Sequence, residues 1–278
     1  MIFECLRGNE ILKTKKLYDH IFADPKKYTH FFFDKAVKEG TALVYSCDGQ
    51  VVAEVFLFPK TLVYRDRKIK ATYIYGVATL EEYRGQGLMR KLMMEAEKMQ
   101  ADLLYLIPVD EKIYRGLGYR TVKKEKEQVY TKEAEVQLDQ AYVLECIHSK
   151  ELDEKQCENM IRFAKKMRKK EEVFFDITQQ SIKDSVARVR ADRGEIWLIK
   201  EKGTDEICTI LTLGEHEGEK VLLEFIGDED QKQQTLHFFM EQRNFMQIKE
   251  YTFPVMIKIQ NQEIKIEDTA IFQLNEVI

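Results

Sequence analysis

The chain has 278 residues, 44% of them hydrophobic and 33% charged, with a formal net charge of −4. This balance fits a folded protein of one large or two medium domains, and we expect two; it excludes a disordered chain. No apolar run approaches a bilayer span, and the start MIFECLRGNE lacks the basic-then-apolar order of a signal peptide, so a cytoplasmic location away from membranes is expected.

Ile2 to Leu6 alternates as an opening strand. Asn9 is placed to cap a helical run in which Ile11, Leu12, Leu17 and Ile21 recur, and Asp24-Pro25 to start a second helix with Asp24 as its N-cap. That second helix carries Tyr28, Phe31, Phe32 and Phe33, read first as core residues. Three β-rich runs follow, Ala42 to Ser46, Val51 to Phe58 and Ile69 to Thr79. Asp48-Gly49 marks a hairpin between the first two, and the polar Arg65 to Lys68 a turn before the third.

After the third strand comes Arg84-Gly85-Gln86-Gly87, and then an amphipathic run with Leu88, Leu92, Met93 and Met99 on its apolar face, ending near Gln100. A strand feeding a glycine-containing corner and then a helix presents unpaired N–H groups and the positive end of the helix dipole, which together suit an anion. Arg84 and Arg90 add fixed positive charge, while the glycines allow close backbone approach. No Gly-Lys-Ser/Thr follows and the spacing is not GxGxxG, so a mononucleotide P-loop and a dinucleotide fingerprint are both excluded. An apolar strand, Leu103 to Ile107, comes next, followed by Ile113-Tyr114-Arg115-Gly116-Leu117-Gly118-Tyr119.

These two stretches, in this order, resemble the GNAT superfamily of N-acetyltransferases, with its Arg/Gln-x-x-Gly-x-Gly/Ala loop and its aromatic-Tyr-x-x-x-Gly-Tyr/Phe segment. Arg84 and Gly87 fit the loop and Met89 replaces its last small residue. RGQGLMRKLM looks closer to the enhanced-intracellular-survival (Eis-like) branch, here without its sterol-carrier-like C-terminal domain. The resemblance implies acetyl-CoA as cosubstrate and a primary amine, on a small molecule or a peptide, as acceptor. It implies that the strand before the loop and the strand after the helix splay to admit the pantetheine arm, with Val77, Ala78 and Thr79 offering main-chain groups. Arg84, Gly85, Gln86, Gly87, Leu88, Met89 and Arg90 would hold the pyrophosphate, and Val109 and Asp110 match further cofactor-contacting positions. Tyr114 matches the tyrosine that donates a proton to the departing thiolate as general acid. A general base is not singled out among Glu54, Glu81, Glu82, Asp110 and Glu111, and a role for the carboxylate of Ile278 stays open.

The second half begins with a charged, strand-like run from Thr121 to Glu135 and a linker near Leu138 to Ala141. Helices are expected over Glu151 to Lys170 and Thr178 to Val189, the basic run from Lys165 to Lys170 coating a solvated face. Strands follow over Glu195 to Lys200, Glu206 to Leu213 and Val221 to Ile226, then a helix over Gln231 to Arg243 and closing strands. This order repeats the first half, except that Gly227-Asp228-Glu229-Asp230 stands where the first half has its arginine-glycine corner. Carboxylates there repel a pyrophosphate. The expected fold class is therefore α/β of mixed α+β type, with tandem GNAT-like domains, catalytic over 1–135 and degenerate over 142–278.

Residues 1–130 carry a net charge of +5 and residues 131–278 of −9. The basic excess suits an anionic cofactor and is too small and dispersed for nucleic acid. The five cysteines are scattered without CxxC spacing and the five histidines without HxxxH spacing, so neither a disulfide framework nor a metal site is expected. Homo-oligomerisation stays open, as does the reading of the chain as a non-catalytic acyl-CoA sensor or scaffold.

Overall fold

A computed structural model of the chain describes residues 1–124, 126–132, 141–147, 152–168, 173–216, 219–266 and 272–273. It is a mixed α/β structure with two mixed sheets, and it divides into two compact units. The first comprises Met1–Lys124, Glu172–Asp176 and Pro254–Phe272; the second comprises Glu125–Glu171, Ile177–Phe253 and Gln273–Ile278.

The first unit opens with β1 (Ile2–Arg7), a 310 turn over Gly8–Thr14, and helices α1 (Lys15–Phe22) and α2 (Lys26–Glu39). Asn9 lies inside the 310 turn and does not cap a helix; α1 begins only after Thr14, whose hydroxyl donates back to the Ile11 carbonyl at 2.6 Å. Asp24 does not cap α2 either. Pro25 holds that position, and the Asp24 carboxylate is instead occupied by the hydroxyl of Tyr18.

Then come β2 (Thr41–Cys47), β3 (Gln50–Tyr64) and β4 (Arg67–Thr79), an antiparallel meander. Both of its hairpins turn on residue pairs with positive φ, Asp48-Gly49 and Arg65-Asp66, the geometry that matches strand twist in a two-residue loop. Helix α3 (Leu88–Ala96) connects β4 to β5 (Leu103–Leu106), which lies parallel to β4. The helix is shorter than its apolar pattern suggests, because tighter bonds such as Met99 N–H to the Ala96 carbonyl close its end. Helix α4 (Glu111–Arg115) and β6 (Arg120–Lys123) follow.

The core of this unit is aromatic under α1 and α2, where Tyr18, Phe32, Phe56 and Phe58 are fully enclosed. Tyr18 stacks on Phe32 at 4.5 Å, and Phe32 meets Phe56 edge-on at 4.9 Å. Tyr28 and Phe33 are buried as expected, and Phe31 half-buried.

The second unit has β7 (Lys126–Thr131), β8 (Tyr142–Ile147), α5 (Glu154–Met167), α6 (Gln179–Ala191), β10 (Glu195–Glu201), β11 (Ile207–His216), β12 (Glu219–Ile226), α7 (Lys232–Arg243) and β13 (Gln247–Thr252). Between α5 and α6 runs β9 (Val173–Phe175), which pairs with β3 of the first unit's sheet and with β15 (Phe272–Gln273). Capping boxes at Asp153/Gln156 and Thr178/Ser181 begin α5 and α6. The strands align as β7-β13-β12-β11-β10-β8, with β12 and β13 parallel around α7 just as β4 and β5 are around α3. Arg168, read from sequence as part of a solvated basic face, is buried and bonds to Glu224 at 2.5 Å.

The chain exchanges strands between its two sheets. The strand-like run after Tyr119 splits into β6, which stays in the first sheet, and β7, which pairs with β13. Conversely β14 (Val255–Ile259), which follows β13, inserts between β5 and β6. Val255, Met256 and Ile257 are fully buried there, which is why a stretch at the end of the sequence belongs to the first unit's core. Among the described residues, no helix is long and apolar enough to cross a membrane.

Candidate acyl-coenzyme A site

Strand β4 is the axis of the site. Opposite Val55 of β3 it carries two residues, Gly76 and Val77, because the register shifts between the pairs Phe56–Tyr75 and Glu54–Ala78. This is a β-bulge, made possible by the positive φ of Gly76 (+57°). A Cβ at Gly76 would lie 2.8 Å from Cδ2 of Phe56, so the position excludes a side chain on steric grounds as well. An isolated glycine inside a strand pattern is a sequence signal for a bulge, and it was there to be read at Gly76.

The same region is where β4 loses its neighbour. Parallel pairing with β5 runs from Ala71–Leu103 to Ile74–Leu106 and stops, while β4 continues to Thr79. Tyr75 to Thr79 therefore have β3 on one side and, among the described residues, no paired strand on the other. Backbone donors and acceptors on such an edge need partners, and an extended amide-bearing chain supplies them. Ala78 is buried and so offers main-chain groups only, whereas Val77 and Thr79 are half-buried.

Past Thr79 the chain makes a 310 turn, Glu81–Tyr83, and reaches Arg84. Gly85 and Gly87 both have positive φ, +75° and +73°, and a Cβ built on either meets nothing within 4 Å. The corner is open to a ligand. Gly87 is the N-cap of α3 and has no side chain to bond the first turn, so the N–H groups of Leu88, Met89 and Arg90 carry the dipole's positive end uncapped. Gln86 is exposed, and the Leu88 side chain is buried, which leaves its N–H as the group facing the corner. Arg84 is not idle: Nε donates to the Thr79 carbonyl at 3.2 Å and a terminal nitrogen to Glu81 at 3.0 Å.

Arg90 links the corner to the tyrosine motif, its guanidinium lying 3.5 Å from the carbonyl oxygen of Gly116, just past α4. On α4, Tyr114 is buried at 7% exposure and its hydroxyl makes no hydrogen bond among the described residues. Burial pushes its pKa up to about 12, which keeps the phenol protonated at neutral pH. Tyr119 is core, with its ring edge against that of Tyr114 at 6.2 Å. Lys258 of β14 secures this end of the site: Nζ pairs with Glu97 after α3 at 2.6 Å and donates to the Leu117 carbonyl at 2.7 Å.

The carboxylates separate by environment. Asp110 accepts from the Lys112 N–H at 2.9 Å as the N-cap of α4, and Val109 beside it is almost wholly exposed. Glu111 is held by Thr121 and Arg115, which lower its pKa, and Glu81 is lowered by its backbone hydrogen bond and by Arg84; both are weak bases. Glu82 is exposed. Glu54 is enclosed on the face of β3 that carries Phe56 and Phe58, with no hydrogen bond to either oxygen among the described residues, and burial raises its pKa well above the ordinary value. Ile278 lies outside the described residues. No group of three or more His, Cys, Asp or Glu among the described residues is placed to hold a metal ion.

The second unit repeats the bulge: β12 gains Leu223 between the pairs Thr212–Glu224 and Leu213–Leu222. It lacks the open corner. Before α7, Asp228 caps a 310 turn by accepting from the Asp230 N–H at 3.1 Å, and Gly227 is confined by the Phe225 ring.

Residues 5–122 match the family model of the acetyltransferase (GNAT) domain. No curated protein matches the chain in sequence. Among solved structures, a conserved protein of Enterococcus faecalis V583, described as a probable N-acyltransferase, is similar over 94% of this chain and 73% of its own, with a TM-score of 0.72 and 13% identity. A GCN5-related N-acetyltransferase of Anabaena variabilis is similar over 93% of this chain and 73% of its own (TM-score 0.67, 14% identity). A tandem GNAT protein from the clavulanic acid biosynthesis pathway covers 93% of this chain and 98% of its own (TM-score 0.53, 9% identity). At such identities the likeness is one of fold. Over residues 5–122 the chain thus resembles the GNAT acetyltransferase domain in sequence as well as in fold.

Proposed function

We propose that the protein transfers an acetyl group from acetyl-CoA to a primary amine by direct attack in a ternary complex. The observation that carries this reading is the open glycine corner at the head of α3, adjoining the stretch of β4 that β5 has left. The space in front of Gly85 and Gly87 fits a pyrophosphate, and the N–H groups of Leu88, Met89 and Arg90 would hold it. When bound, acetyl-CoA supplies a thioester carbon open to attack by an amine. The main chain of Val77 to Thr79 orients the pantetheine arm, and Tyr114, neutral and with no partner for its hydroxyl among the described residues, delivers a proton to the departing sulfur. The corner sequence RGQGLMRKLM and the repeated bulge before an acidic turn support an Eis-like pairing of an active domain with a degenerate one that binds no cofactor.

The test is thiol release from acetyl-CoA over a panel of small-molecule and peptide amines, with wild type and Tyr114→Phe. Turnover with at least one amine, lost in the variant while acetyl-CoA binding persists, is the expected result. Binding without turnover across the panel would make the protein an acyl-CoA sensor.

A further inference from the structure

An amine acceptor is an ammonium ion at neutral pH, and it must lose a proton before it can attack a thioester. Among the carboxylates considered from sequence and described in the structure, Asp110, Glu81 and Glu111 are engaged by hydrogen bonds, Glu82 is exposed to solvent, and Glu54 is sealed in the core at 0% exposure, out of reach of an acceptor. A different set of polar groups begins at the residue just before the bulge.

Tyr75 is the first residue of β4 beyond its pairing with β5. Its hydroxyl lies 3.1 Å from that of Tyr18 on α1 and 3.4 Å from that of Tyr28 on α2. Tyr18 in turn donates to Oδ2 of Asp24, in the α1–α2 connection, at 2.6 Å. A carboxylate only accepts, so it takes the single proton of Tyr18. The Tyr18 oxygen must then accept from Tyr75, which commits the proton of Tyr75 as well. The far end of the chain is thus a Tyr75 oxygen that can only accept, from Tyr28 or from an incoming N–H. It stands beside the bulge, with the ring of Phe22 stacked near its own at 6.4 Å and 18° and that of Phe32 at 5.2 Å, walls that suit a cation.

We propose that Tyr75, Tyr18 and Asp24 form a proton relay that deprotonates the ammonium of the acceptor, with the Tyr75 oxygen touching the substrate and Asp24 storing the proton. One N–H bond of the ammonium breaks as an O–H bond forms on Tyr75; the proton of Tyr75 passes to Tyr18 and that of Tyr18 to Oδ2 of Asp24. The amine is left neutral, the carboxylate becomes a carboxylic acid, and neither phenol carries charge at the end. Asp24 is half-exposed and returns the proton to solvent. Tyr75 is the catalytic residue of the three, and Tyr18 and Asp24 act through it.

The electrostatics agree with these roles. Burial raises Tyr18 and Tyr75, which keeps both hydroxyls neutral as relays. Burial also raises Asp24, and the neighbouring charge of Asp19 adds to it against the lowering effect of the Tyr18 bond, making the carboxylate a better proton acceptor than a solvated one. The titratable and charged groups around it are Tyr18 and Asp19 of α1, Tyr28 of α2 and Tyr75 of β4, with Lys15 drawn to Asp19 at 3.1 Å.

This inference rests on the acyl-transfer reading, and its test separates the two. Rates are measured for wild type, Tyr75→Phe, Tyr18→Phe and Asp24→Asn with two acceptors of similar shape: an alkylamine, protonated at the assay pH, and its β,β,β-trifluorinated counterpart, neutral there. We expect a loss of roughly 100-fold or more in kcat/KM with the protonated amine and of no more than about threefold with the neutral one, with acetyl-CoA KM unchanged. Equal losses with both amines, or no loss with either, overturn the relay. Thermal melting identifies any variant that misfolds, and Tyr75→Phe, which keeps the ring, then carries the test. A wild type inactive with every amine overturns the acyl-transfer reading itself.

Discussion

Gly76 and Phe56 meet across the bulge of β4 with no room for a methyl group: a Cβ on Gly76 would lie 2.8 Å from the ring of Phe56, and the backbone there is left-handed at φ +57°. Gly76→Ala combines an αL penalty of about 1–2 kcal/mol with overpacking of about 1–3 kcal/mol, so we expect a loss of roughly 2–5 kcal/mol in urea unfolding. Phe56→Leu added to Gly76→Ala should recover part of the overpacking and none of the backbone strain. If Gly76→Ala unfolds like wild type, the bulge is not a fixed point of the fold.

The glycine corner makes the opposite prediction, because nothing fills the space in front of Gly85 and Gly87. Arg84→Ala should raise the KM for acetyl-CoA on the order of tenfold with little change in stability, since an exposed ion pair contributes about 1 kcal/mol or less. Glu81 competes for the same guanidinium at 3.0 Å and puts negative charge beside the corner. Glu81→Gln should therefore lower that KM by roughly two- to threefold, with the gain shrinking as salt is added. A KM that rises in Glu81→Gln would show that the carboxylate positions Arg84 rather than distracting it.

How much of this was legible in the sequence depends on whether the signal was local. Asp48-Gly49, the Arg84 to Gly87 corner and the amphipathic run after it announce themselves within a few residues: the hairpin turns where it should and a helix follows the corner, though it ends at Ala96 rather than near Gln100. Asp24 shows the limit: a carboxylate before a proline reads as a helix cap, yet it is taken by Tyr18, six positions earlier, through a contact that exists only once α1 and α2 fold back on each other. Arg168 shows it again, reading as one more surface cation until Glu224, 56 residues on, claims it. The placement of β14 between β5 and β6 leaves no mark, because buried apolar residues suit either sheet equally. The Tyr75 relay was invisible for the same reason, since its three residues come from α1, the connection after it and β4.

Tyr114 is predicted to separate binding from chemistry. Its hydroxyl lacks a protein partner among the described residues, so Tyr114→Phe removes no internal hydrogen bond and should leave folding and acetyl-CoA affinity unchanged. Loss of a general acid should lower kcat by roughly 100- to 10,000-fold. The wild-type rate should fall only at strongly alkaline pH, as the phenol with its pKa of about 12 begins to ionise. A variant with normal kcat would remove Tyr114 from the mechanism.

Glu54 offers a stability prediction with a definite sign. Its carboxyl is enclosed, both oxygens lack hydrogen bonds among the described residues, and burial raises its pKa well above the ordinary 4.5, with the charge of Asp19 adding to the shift. The folded state therefore holds this proton more tightly than the unfolded state does. The stability associated with the neutral acid is present in full below about pH 4.5 and is lost as pH rises through the folded value. Glu54→Gln cannot ionise, so it should melt with wild type at pH 4 and above it at pH 8. Glu54→Leu also removes the unsatisfied polar atoms, a further gain of about 1–3 kcal/mol at both pH values. Scanning calorimetry of the three proteins at the two pH values checks this. Midpoints below wild type for both variants at pH 8 would mean that the ionised carboxylate is stabilised in the folded protein, the reverse of what its enclosure between β2, β4 and the aromatic core dictates.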